Sequence, residues 1–246
     1  NTSNGNPFLD PTFYDNFELK LTAFQYVQLG GNYTIANDVN KFIFDAKPNE
    51  LVSNQTFKQF DKINTFSLYA SFPIPLDYFL KGKAEFEKRM NDMDTMNYIF
   101  FNINYIDFDT KGYDFQFKPK PIMSYTATAQ FILPWKIKNT MMYNLTPPGT
   151  WEIYNVNKTI HQFDLSFNRD FMNKNLKIGL HCFDVFNTNE INALVSSTNL
   201  QTQFRQKQDS RTFRISLTYN FGNLKLEKEN TEIRTEKVGQ GGGILK

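Results

Sequence analysis

The chain has 246 residues, a formal net charge of +2 and a single cysteine, Cys182. This charge balance argues against a nucleic-acid-binding protein, and one cysteine excludes an internal disulfide and a cysteine-based metal cluster. No run reaches the roughly 18 apolar residues that a membrane-spanning helix needs, which excludes a helical membrane bundle. The 26 phenylalanines and 12 tyrosines favour strands over helices, so we expect an all-β fold.

The first third of the chain predicts three strands. Apolar and polar side chains alternate over residues 17–23, 27–35 and 65–72, and a period of two is typical of a strand with two different faces. Residues 24–26 are a short turn in this interpretation. Pro73 and Pro75 end the third strand and begin a short turn near 73–79, because proline donates no hydrogen bond to a neighbouring strand. The polar segment 37–58 is predicted to be a long connection.

The next stretch, residues 80–89, is compatible with either a helix or a strand. Its KGKAEFEKR sequence has good helix propensity, whereas a strand would continue the pattern of its neighbours. We predict a strand, which places Lys81, Lys83 and Glu85 on one face. Residues 90–112 are then predicted to be another long connection.

The C-terminal half predicts five further strands, and the last of them has the clearest pattern. They cover residues 115–131, 141–145, 163–167, 176–180 and 211–222. In the last one, apolar residues from Phe213 to Phe221 alternate with polar residues that include Arg214. Short turns near 134–139 and 171–175 alternate with long connections near 146–157 and 187–208.

Loop length decides between two architectures that both explain alternating strands. Short turns fall at one end of the predicted sheet and long connections at the other, as in outer-membrane barrels. A soluble sandwich has no reason to sort its loops in this way. The sequence therefore predicts a transmembrane antiparallel β-barrel wall of about nine strands, with apolar residues facing lipid and polar residues facing a wet lumen. A soluble β-sandwich that binds glycans is the least favoured alternative.

Charged residues on the predicted polar faces are the candidate site. They could line a ligand path, or they could belong to a hydrated network within the wall. These lumen-facing candidates are Lys81, Lys83, Glu85, Lys118, Asp164 and Arg214. Aromatic residues near strand ends are expected at the membrane interface, where large rings accumulate. The interface candidates are Trp135, Trp151, Tyr219 and Phe221.

The sequence predicts no catalytic, cofactor or metal site. His161 and His181 are the two histidines, and each is expected to face a lumen or an interface. Asp107, Asp109 and Asp114 offer the oxygen ligands that calcium prefers, but the regular glycine-containing loop spacing is absent, so we predict solvated loop acids. The chain is therefore not expected to be an enzyme.

Three parts of the chain carry a family resemblance. Residues 5–11 and 16–19 read GNPFLDP and NFEL, and residues 175–180 and 184–188 read NLKIGL and DVFNT. Together with the final strand at 210–222, they resemble the C-terminal barrel portion of TonB-dependent-receptor-like outer-membrane proteins of Bacteroidota. The resemblance covers nearly the whole chain and rests on the order and spacing of strand ends and turns.

This resemblance implies a barrel of about 22 strands around an N-terminal plug, through which a bulky nutrient is taken up. About nine strands cannot close such a barrel, and open sheet edges are prohibitively costly in lipid. We therefore expect the chain to be part of a longer polypeptide. Residues 1–222 would be the C-terminal part of the barrel, and residues 223–246 a flexible charged tail.

The resemblance also implies a location and partners. The chain would lie in the bacterial outer membrane, with its long loops extracellular and its tail periplasmic. The implied partners are the lipid bilayer with its lipopolysaccharide, an inner-membrane energy-coupling complex reached through the plug, and surface lipoproteins or other outer-membrane subunits. The alternative function is a structural or scaffold barrel in an outer-membrane assembly or secretion complex, with transport lost.

Overall fold

A computed structural model describes residues 10–23, 27–46, 53–89, 93–197 and 200–221, which form thirteen strands and two short helices. The strands are β1 Phe13–Ala23, β2 Val27–Ala46, β3 Ser53–Pro75, β4 Tyr98–Lys111, β5 Ile122–Leu133, β6 Ile137–Thr146, β7 Gly149–Trp151, β8 Tyr154–Val156, β9 Ile160–Phe171, β10 Leu176–Phe183, β11 Glu190–Ser197, β12 Leu200–Lys207 and β13 Thr212–Tyr219. The helices are α1 Leu76–Lys81 and α2 Lys83–Arg89, and 3-10 turns cover Met93–Thr95 and Pro134–Lys136. Neither described helix is long and apolar enough to cross a membrane. The predicted tail at 223–246 and the predicted turn at 24–26 lie outside the described residues.

Nine of the strands form one antiparallel sheet in the order β1-β2-β3-β4-β5-β6-β9-β10-β13. The connections β1–β2, β3–β4, β5–β6 and β9–β10 meet at one end of this sheet, which we call the turn end. The opposite end is the loop end. Its connections contribute β7, β8, β11 and β12, which form a second sheet in the order β12-β11-β8-β7. Strands β1 and β13 are the two edges of the nine-stranded sheet.

The nine-stranded sheet has an apolar face and a polar face, as the alternating sequence predicts. One row across the apolar face contains Leu21, Leu29, Ala70, Ile103, Tyr125 and Leu145. The neighbouring row on the polar face contains Thr22, Gln28, Ser71, Asn102, Thr126, Asn144 and Gln162. Phe213 and Leu217 on the apolar face are 76% and 71% exposed, whereas Asp164 on the polar face is 6% exposed. A water-soluble domain buries its apolar residues instead, so this distribution suits a sheet with lipid against its apolar face.

A small apolar core lies at the loop end, where β2 and β3 extend beyond β1. It contains Ala36, Val39, Ile43, Phe60, Ile63 and Ile153, with Tyr113 and Tyr154 packed against it. Asp38 has a φ of 56°, in the left-handed region. This local turn of the strand brings residues on both sides of Asp38 to the same core. Lys41 Nζ also lies 2.7 Å from Glu152 Oε1, which joins the β2–β3 hairpin to the β7–β8 turn.

Most of segment 37–58 is strand, so the predicted long connection there is wrong. Strand β2 continues to Ala46 and β3 begins at Ser53. The segment is polar and its alternation is irregular beyond Asp38, which hides the strands from a sequence pattern. Packing of Val39 and Phe60 into the loop-end core stabilises the extension instead.

Stretch 80–89 is helical, which corrects the predicted strand. Strand β3 also continues to Pro75 and the connection to β4 is long, so the short turn predicted near 73–79 is wrong. Gly82 has a φ of 83°, a conformation that glycine adopts readily, and it separates α1 from α2. Lys83, which starts α2, pairs with Glu87 at 3.7 Å, and Glu85 pairs with Lys88 at 2.8 Å. Local helix propensity and these short-range pairs therefore prevail over the strand pattern of the neighbours.

Strand β4 takes the place of the predicted strand in the sheet, so the connection predicted at 90–112 is also wrong. Its alternation is blurred in the sequence because Phe100 and Ile106 lie on the polar face, while Asp107 lies on the apolar face in register with Phe66. Pairing with β3 and β5 on both sides overrides this weak pattern. The chain therefore reaches nine strands with a different fourth member.

Strand β5 begins at Ile122 rather than at residue 115. Pro119 and Pro121 interrupt the alternation just before it, because a proline cannot donate to a neighbouring strand. Lys118 therefore lies exposed in the β4–β5 connection and not on the wall of the sheet. At the other extreme of the chain, β13 ends at Tyr219 and not at residue 222.

Candidate ligand-binding site

A cavity of about 620 Å³ lies at the loop end, between the polar face of the nine-stranded sheet and the second sheet. We call it the outer pocket. Residues of β4, β5, β6 and β9 form its floor, and they are Asn104, Ile106, Ile122, Met123, Ser124, Thr146 and Ile160. Residues of β7, β8, β11 and β12 form its roof, and they are Trp151, Tyr154, Val156, Ile191, Ala193, Phe204 and Gln206.

Strand pairing within the second sheet assembles the roof. Val156 of β8 pairs with Ala193 of β11, and Ala193 pairs with Phe204 of β12. Paired residues lie on the same face of a sheet, so these three side chains reach the pocket together although they are far apart in sequence. The ring centroids of Tyr154 and Phe204 are 6.4 Å apart in an edge-to-face arrangement.

Strand β7 is held tightly against the segment that enters β5. The backbone N–H of Thr150 donates to the carbonyl of Lys120 at 2.8 Å, and the hydroxyl of Thr150 accepts from the N–H of Lys120 at 3.0 Å. A Cβ atom on Gly149 would lie only 2.7 Å from the carbonyl oxygen of Pro121. Glycine at this position therefore allows β7 to lie close to the segment that enters β5, which holds the roof of the pocket in place.

Asp184 anchors the long connection that carries β11 and β12. Its buried carboxylate accepts from the N–H of Thr188 at 2.8 Å, from the N–H of Asn189 at 3.0 Å and from the hydroxyl of Ser210. Burial alone would raise the pKa of Asp184, but the hydrogen bonds from Ser210, Asn189 and Thr188 lower that pKa to about 2. Both ends of the connection are thus fastened to one charged group.

Asp164 links this anchor to the wall of the sheet. Its Oδ1 atom accepts from the N–H of Asp184 and from the side-chain amide of Gln162, each at 2.8 Å. Asp164 is therefore a buried member of the hydrogen-bond network behind the pocket. Asp164 lies on the polar face, and the lumen-facing role predicted for it stays a prediction.

The lining of the outer pocket carries no ionisable carboxylate, amine, guanidinium or imidazole among the described residues. Charged groups of the second sheet are paired outside it. Arg205 donates from Nε and Nη2 to the two carboxylate oxygens of Glu190, at 2.9 and 3.1 Å, and this bond with that from Asn192 lowers the pKa of Glu190 to about 2. Burial raises the pKa of the Tyr154 hydroxyl, so this ring is neutral at physiological pH.

A row of small polar side chains crosses the strands on the polar face beside the outer pocket. Within it, Ser71 donates to Asn102 Oδ1 at 2.7 Å, and Thr126 donates to Asn144 Oδ1 at 2.8 Å. Such cross-strand hydrogen bonds give the polar side chains partners within the sheet, and the surface they form stays hydrophilic. The polar face is therefore hydrophilic beside the outer pocket, whereas the next row towards the turn end also contains Pro73, Phe100 and Met142.

The 76–97 connection lies against the polar face at the turn end. Gln130 donates from its side-chain amide to the carbonyl of Met96 at 2.9 Å. Lys138, which is on the polar face of β6, lies 2.6 Å from Asp94. The side chain of Asn97 accepts from the N–H of Ile132 at 2.6 Å. We call the described part of this connection, residues 76–89 and 93–97, the turn-end cover.

None of the six predicted lumen-facing charges lines the outer pocket. Lys81 lies in α1, where its Nζ is 3.0 Å from the buried carboxylate of Asp77. Lys83 and Glu85 lie in α2 and pair with residues of that helix. Lys118 and Asp164 lie in the positions described above.

Arg214 is on the polar face of β13, opposite His181 in the neighbouring strand. Its guanidinium carbon lies 5.2 Å from the ring centroid of Phe183, within the range of a cation–π interaction. The lumen-facing role predicted for Arg214 stays a prediction.

The predicted interface aromatics fall into two groups. Trp135 is in the turn between β5 and β6, where it is 76% exposed, and Tyr219 and Phe221 follow β13 to the same end with rings 4.6 Å apart. Their position at a membrane interface stays a prediction. Trp151 instead packs against Phe108 of β4, with centroids 5.3 Å apart, and lines the outer pocket.

The histidines and acidic residues form no recognisable catalytic or metal site in the described part of the chain. His181 lies between the hydroxyls of Ser166 and Ser216, each 3.2 Å from a ring nitrogen. A serine hydrolase orients such an imidazole with a carboxylate or amide, and here both partners are hydroxyls. The described residues also contain no cluster of three or more potential metal ligands.

The pocket residues that sequence analysis missed are aromatic residues within predicted loops. Trp151, Tyr154 and Phe204 fall in the connections near 146–157 and 187–208. A large ring in a polar connection is a signal that the connection packs on something, but it does not show on what. The pairing of β8 with β11 supplies that information.

Comparison with models of protein families matches residues 1–219 to a model described as the outer membrane protein beta-barrel family. No curated protein matches the chain, and no solved structure matches it.

Proposed function

Because this chain belongs to the outer membrane protein beta-barrel family, we propose that it is part of a gated transporter that binds a ligand in the outer pocket and passes it along the polar face. The observation that carries the proposal is the position of the pocket. It opens on the polar face at the loop end, and a row of hydrogen-bonded serine, threonine and asparagine side chains crosses that face beside it. A ligand held there would already be on the wall of a water-filled passage.

The orientation follows from the lengths of the connections. Outer-membrane barrels have short periplasmic turns and longer extracellular loops. The second sheet is built entirely from loop-end connections, so we propose that the loop end and the outer pocket are extracellular. The turn-end cover is the exception, because it is a long connection at the proposed periplasmic side. It lies across the polar face, where a solute would leave.

The two edge strands indicate that more strands complete the wall. An unpaired strand edge in lipid leaves backbone N–H and C=O groups without partners, at several kcal/mol per group. We propose that β1 and β13 pair with further strands in a larger barrel of about 22, which resembles TonB-dependent receptors. A plug would then close the passage, and an inner-membrane energy-coupling complex acting through the plug would open it. Surface lipoproteins or other outer-membrane subunits would be further partners.

Electrical recording on the full-length polypeptide, purified from its native outer membrane, tests gated transport. In a planar bilayer, a plugged barrel is expected to conduct little at first. Urea at a concentration that unfolds a plug but not the barrel should then produce a large and reversible conductance. Because the polar face carries basic residues such as Lys138 and Arg214 together with acidic Asp164, we expect weak ion selectivity once the passage is open.

Two other results would decide against the proposal. A large conductance before urea would indicate an open pore rather than a gated transporter. No conductance in either condition, together with co-purification in a stable complex of fixed composition, would favour the scaffold function.

A further inference from the structure

We infer that the ligand of the outer pocket is an uncharged molecule with an apolar, ring-bearing body and a small polar edge. This inference rests on the proposed function for its biological meaning, but it concerns binding alone. It follows from the rings, the charges and the polar groups that the structure brings together at the loop end.

Aromatic rings dominate the roof of the pocket. Trp151, Tyr154 and Phe204 line it together, and a row of Val156 and Ala193 completes the same surface. Flat rings offer a large contact area and favour stacked or edge-to-face contact with other rings. The floor adds Ile106, Ile122 and Ile160 beneath this roof. A flat apolar body fits between these two surfaces.

Formal charge is missing from the lining, as described above, and the nearby charges are neutralised by one another. Glu190 is paired with Arg205 and Glu152 with Lys41, and Asp184 lies 3.8 Å from Lys207. A charged ligand would lose hydration in the pocket without gaining an ion pair, and burying an uncompensated charge is strongly unfavourable. The pocket therefore selects against ions.

A few polar groups give the pocket one hydrophilic side. Asn104 donates to the hydroxyl of Ser124 at 3.3 Å on the floor, and Thr146 and Gln206 complete the set. Amide and hydroxyl groups can both donate and accept, which suits a hydroxyl, an ether or a carbonyl on the ligand. A volume of about 620 Å³ is in the range of small-molecule sites.

A neutral glycan is the nearest competitor, because sugars also stack on aromatic rings. A sugar carries a hydroxyl on nearly every carbon, and each buried hydroxyl needs a hydrogen-bond partner. The three isoleucines of the floor and Val156 of the roof provide none. An apolar ring compound makes better use of this lining.

A matched pair of fluorescent probes tests the inference on the full-length polypeptide in lipid nanodiscs. N-phenyl-1-naphthylamine is uncharged, and 1-anilinonaphthalene-8-sulfonate has the same rings with an added sulfonate. Fluorescence of empty nanodiscs is subtracted to remove partition into lipid. We expect saturable binding of the uncharged probe and at least about tenfold weaker binding of the sulfonate, a difference equivalent to about 1.4 kcal/mol.

Two variants test whether this binding takes place in the outer pocket. Phe204→Ala removes a roof ring, and Asn104→Asp places a carboxylate on the floor with almost no change in shape. Each should weaken binding of the uncharged probe by about tenfold. The matched controls are Phe186→Ala in the same connection, where the ring stacks on Phe163, and Asn168→Asp near the turn end of β9, away from the pocket. These controls should stay within about twofold of the unmodified protein.

Every outcome separates binding from transport. Equal binding of both probes, or no effect of Phe204→Ala and Asn104→Asp, overturns the inference. Binding of a neutral oligosaccharide such as maltoheptaose without binding of the uncharged probe overturns it in favour of a glycan. Pocket-dependent probe binding without a urea-gated conductance supports the inference and overturns the transport proposal alone. Urea-gated conductance without probe binding supports the transport proposal and overturns the inference about the ligand.

Discussion

The close approach of Tyr69 to Gly30 shows how one residue of the wall depends on another. The two residues are directly paired on the polar face of β2 and β3, and the tyrosine ring lies over the glycine. A Cβ atom on Gly30 would lie 2.3 Å from the ring carbon Cζ, so any larger residue must displace the ring.

We therefore expect Gly30→Ala to destabilise the barrel by about 1–3 kcal/mol, the usual range for overpacking. The measurement is the temperature at which the folded form disappears in semi-native gel electrophoresis. Tyr69→Ser removes the ring and matches the serines two residues away on the same face. In that background Gly30→Ala should have little further effect, and full additivity of the two changes would contradict this account.

Asp184 gives the second sheet a predictable response to acid. The folded pKa of this carboxyl is about 2, below its ordinary value of 3.8. A lowered folded pKa stabilises the folded form at pH values above 3.8, and this contribution is lost as the pH falls from about 4 to about 2. For a fully buried group, the shift corresponds to roughly 2 kcal/mol. We expect the 184–210 connection to detach in this window while the nine-stranded sheet persists.

Limited digestion with pepsin, which is active at these pH values, checks this expectation. Cleavage near Phe204 should rise steeply below pH 4, and Asp184→Asn should allow it already at pH 4. Glu190 has a similarly lowered pKa and titrates in the same window, so Asp184→Asn is needed to assign the effect. Asp209→Asn, an exposed acid in the same connection, is the control. Equal cleavage of the Asp184→Asn variant and the unmodified protein at pH 4 would refute the assignment.

At the scale of elements, the alternation of apolar and polar residues was enough to predict the regular strands. The other elements depend on packing and strand pairing with distant parts of the chain. The final strand and the β1–β2 hairpin follow from alternation alone, because one apolar face runs through each of them. Residues 80–89 needed a different argument, since Gly82 and the short-range ion pairs favour helices over the strand of the neighbours. The outer pocket was beyond prediction because Tyr154 and Phe204 meet only through the register of β8, β11 and β12.

The turn-end cover is held by one buried carboxylate. Asp77 accepts from the side-chain amide of Asn97 at 2.6 Å and pairs with Lys81 at 3.0 Å. Removing a buried acceptor leaves its donors unsatisfied, at about 1–3 kcal/mol. We expect Asp77→Ala to increase hydrogen–deuterium exchange throughout residues 76–97, with no change in β5 and β6.

Lys83→Ala is the matched control, because it removes an exposed ion pair from α2. Exposed pairs contribute only about 0–1 kcal/mol, so exchange in the cover should hardly change. If exchange spread instead through β4 and β5 in the Asp77→Ala variant, the cover would be part of the folding core of the sheet and not a separable element.

At the scale of the whole molecule, the exposed apolar residues indicate that one face of the sheet contacts lipid and not water. Leu68 and Ser67 are neighbours in β3 and lie on opposite faces of the sheet. In water, arginine in place of an exposed leucine is nearly neutral, whereas arginine on the lipid face near the midplane costs about 2–4 kcal/mol. We expect Leu68→Arg to lower the amount of folded, membrane-inserted protein sharply, and Ser67→Arg to be tolerated.

Folding into lipid vesicles, followed by the gel shift of the folded form, measures both variants. The soluble sandwich predicts no penalty for Leu68→Arg and so is excluded by the expected result. The apolar and polar faces of the sheet were predictable from the sequence, because apolar and polar side chains alternate along each membrane strand. The positions of the two edge strands could not be predicted from the sequence. Whether the backbone of a strand is paired on both sides does not change the hydropathy pattern of its side chains.

The directions of the two edge strands restrict the number of strands that a closed barrel can have. An antiparallel sheet of nine strands leaves β1 and β13 running in the same direction, because their number is odd. If these edges joined each other, the seam would be parallel. A ring whose every seam is antiparallel must therefore gain an odd number of strands from elsewhere, and completion to about 22 would take thirteen.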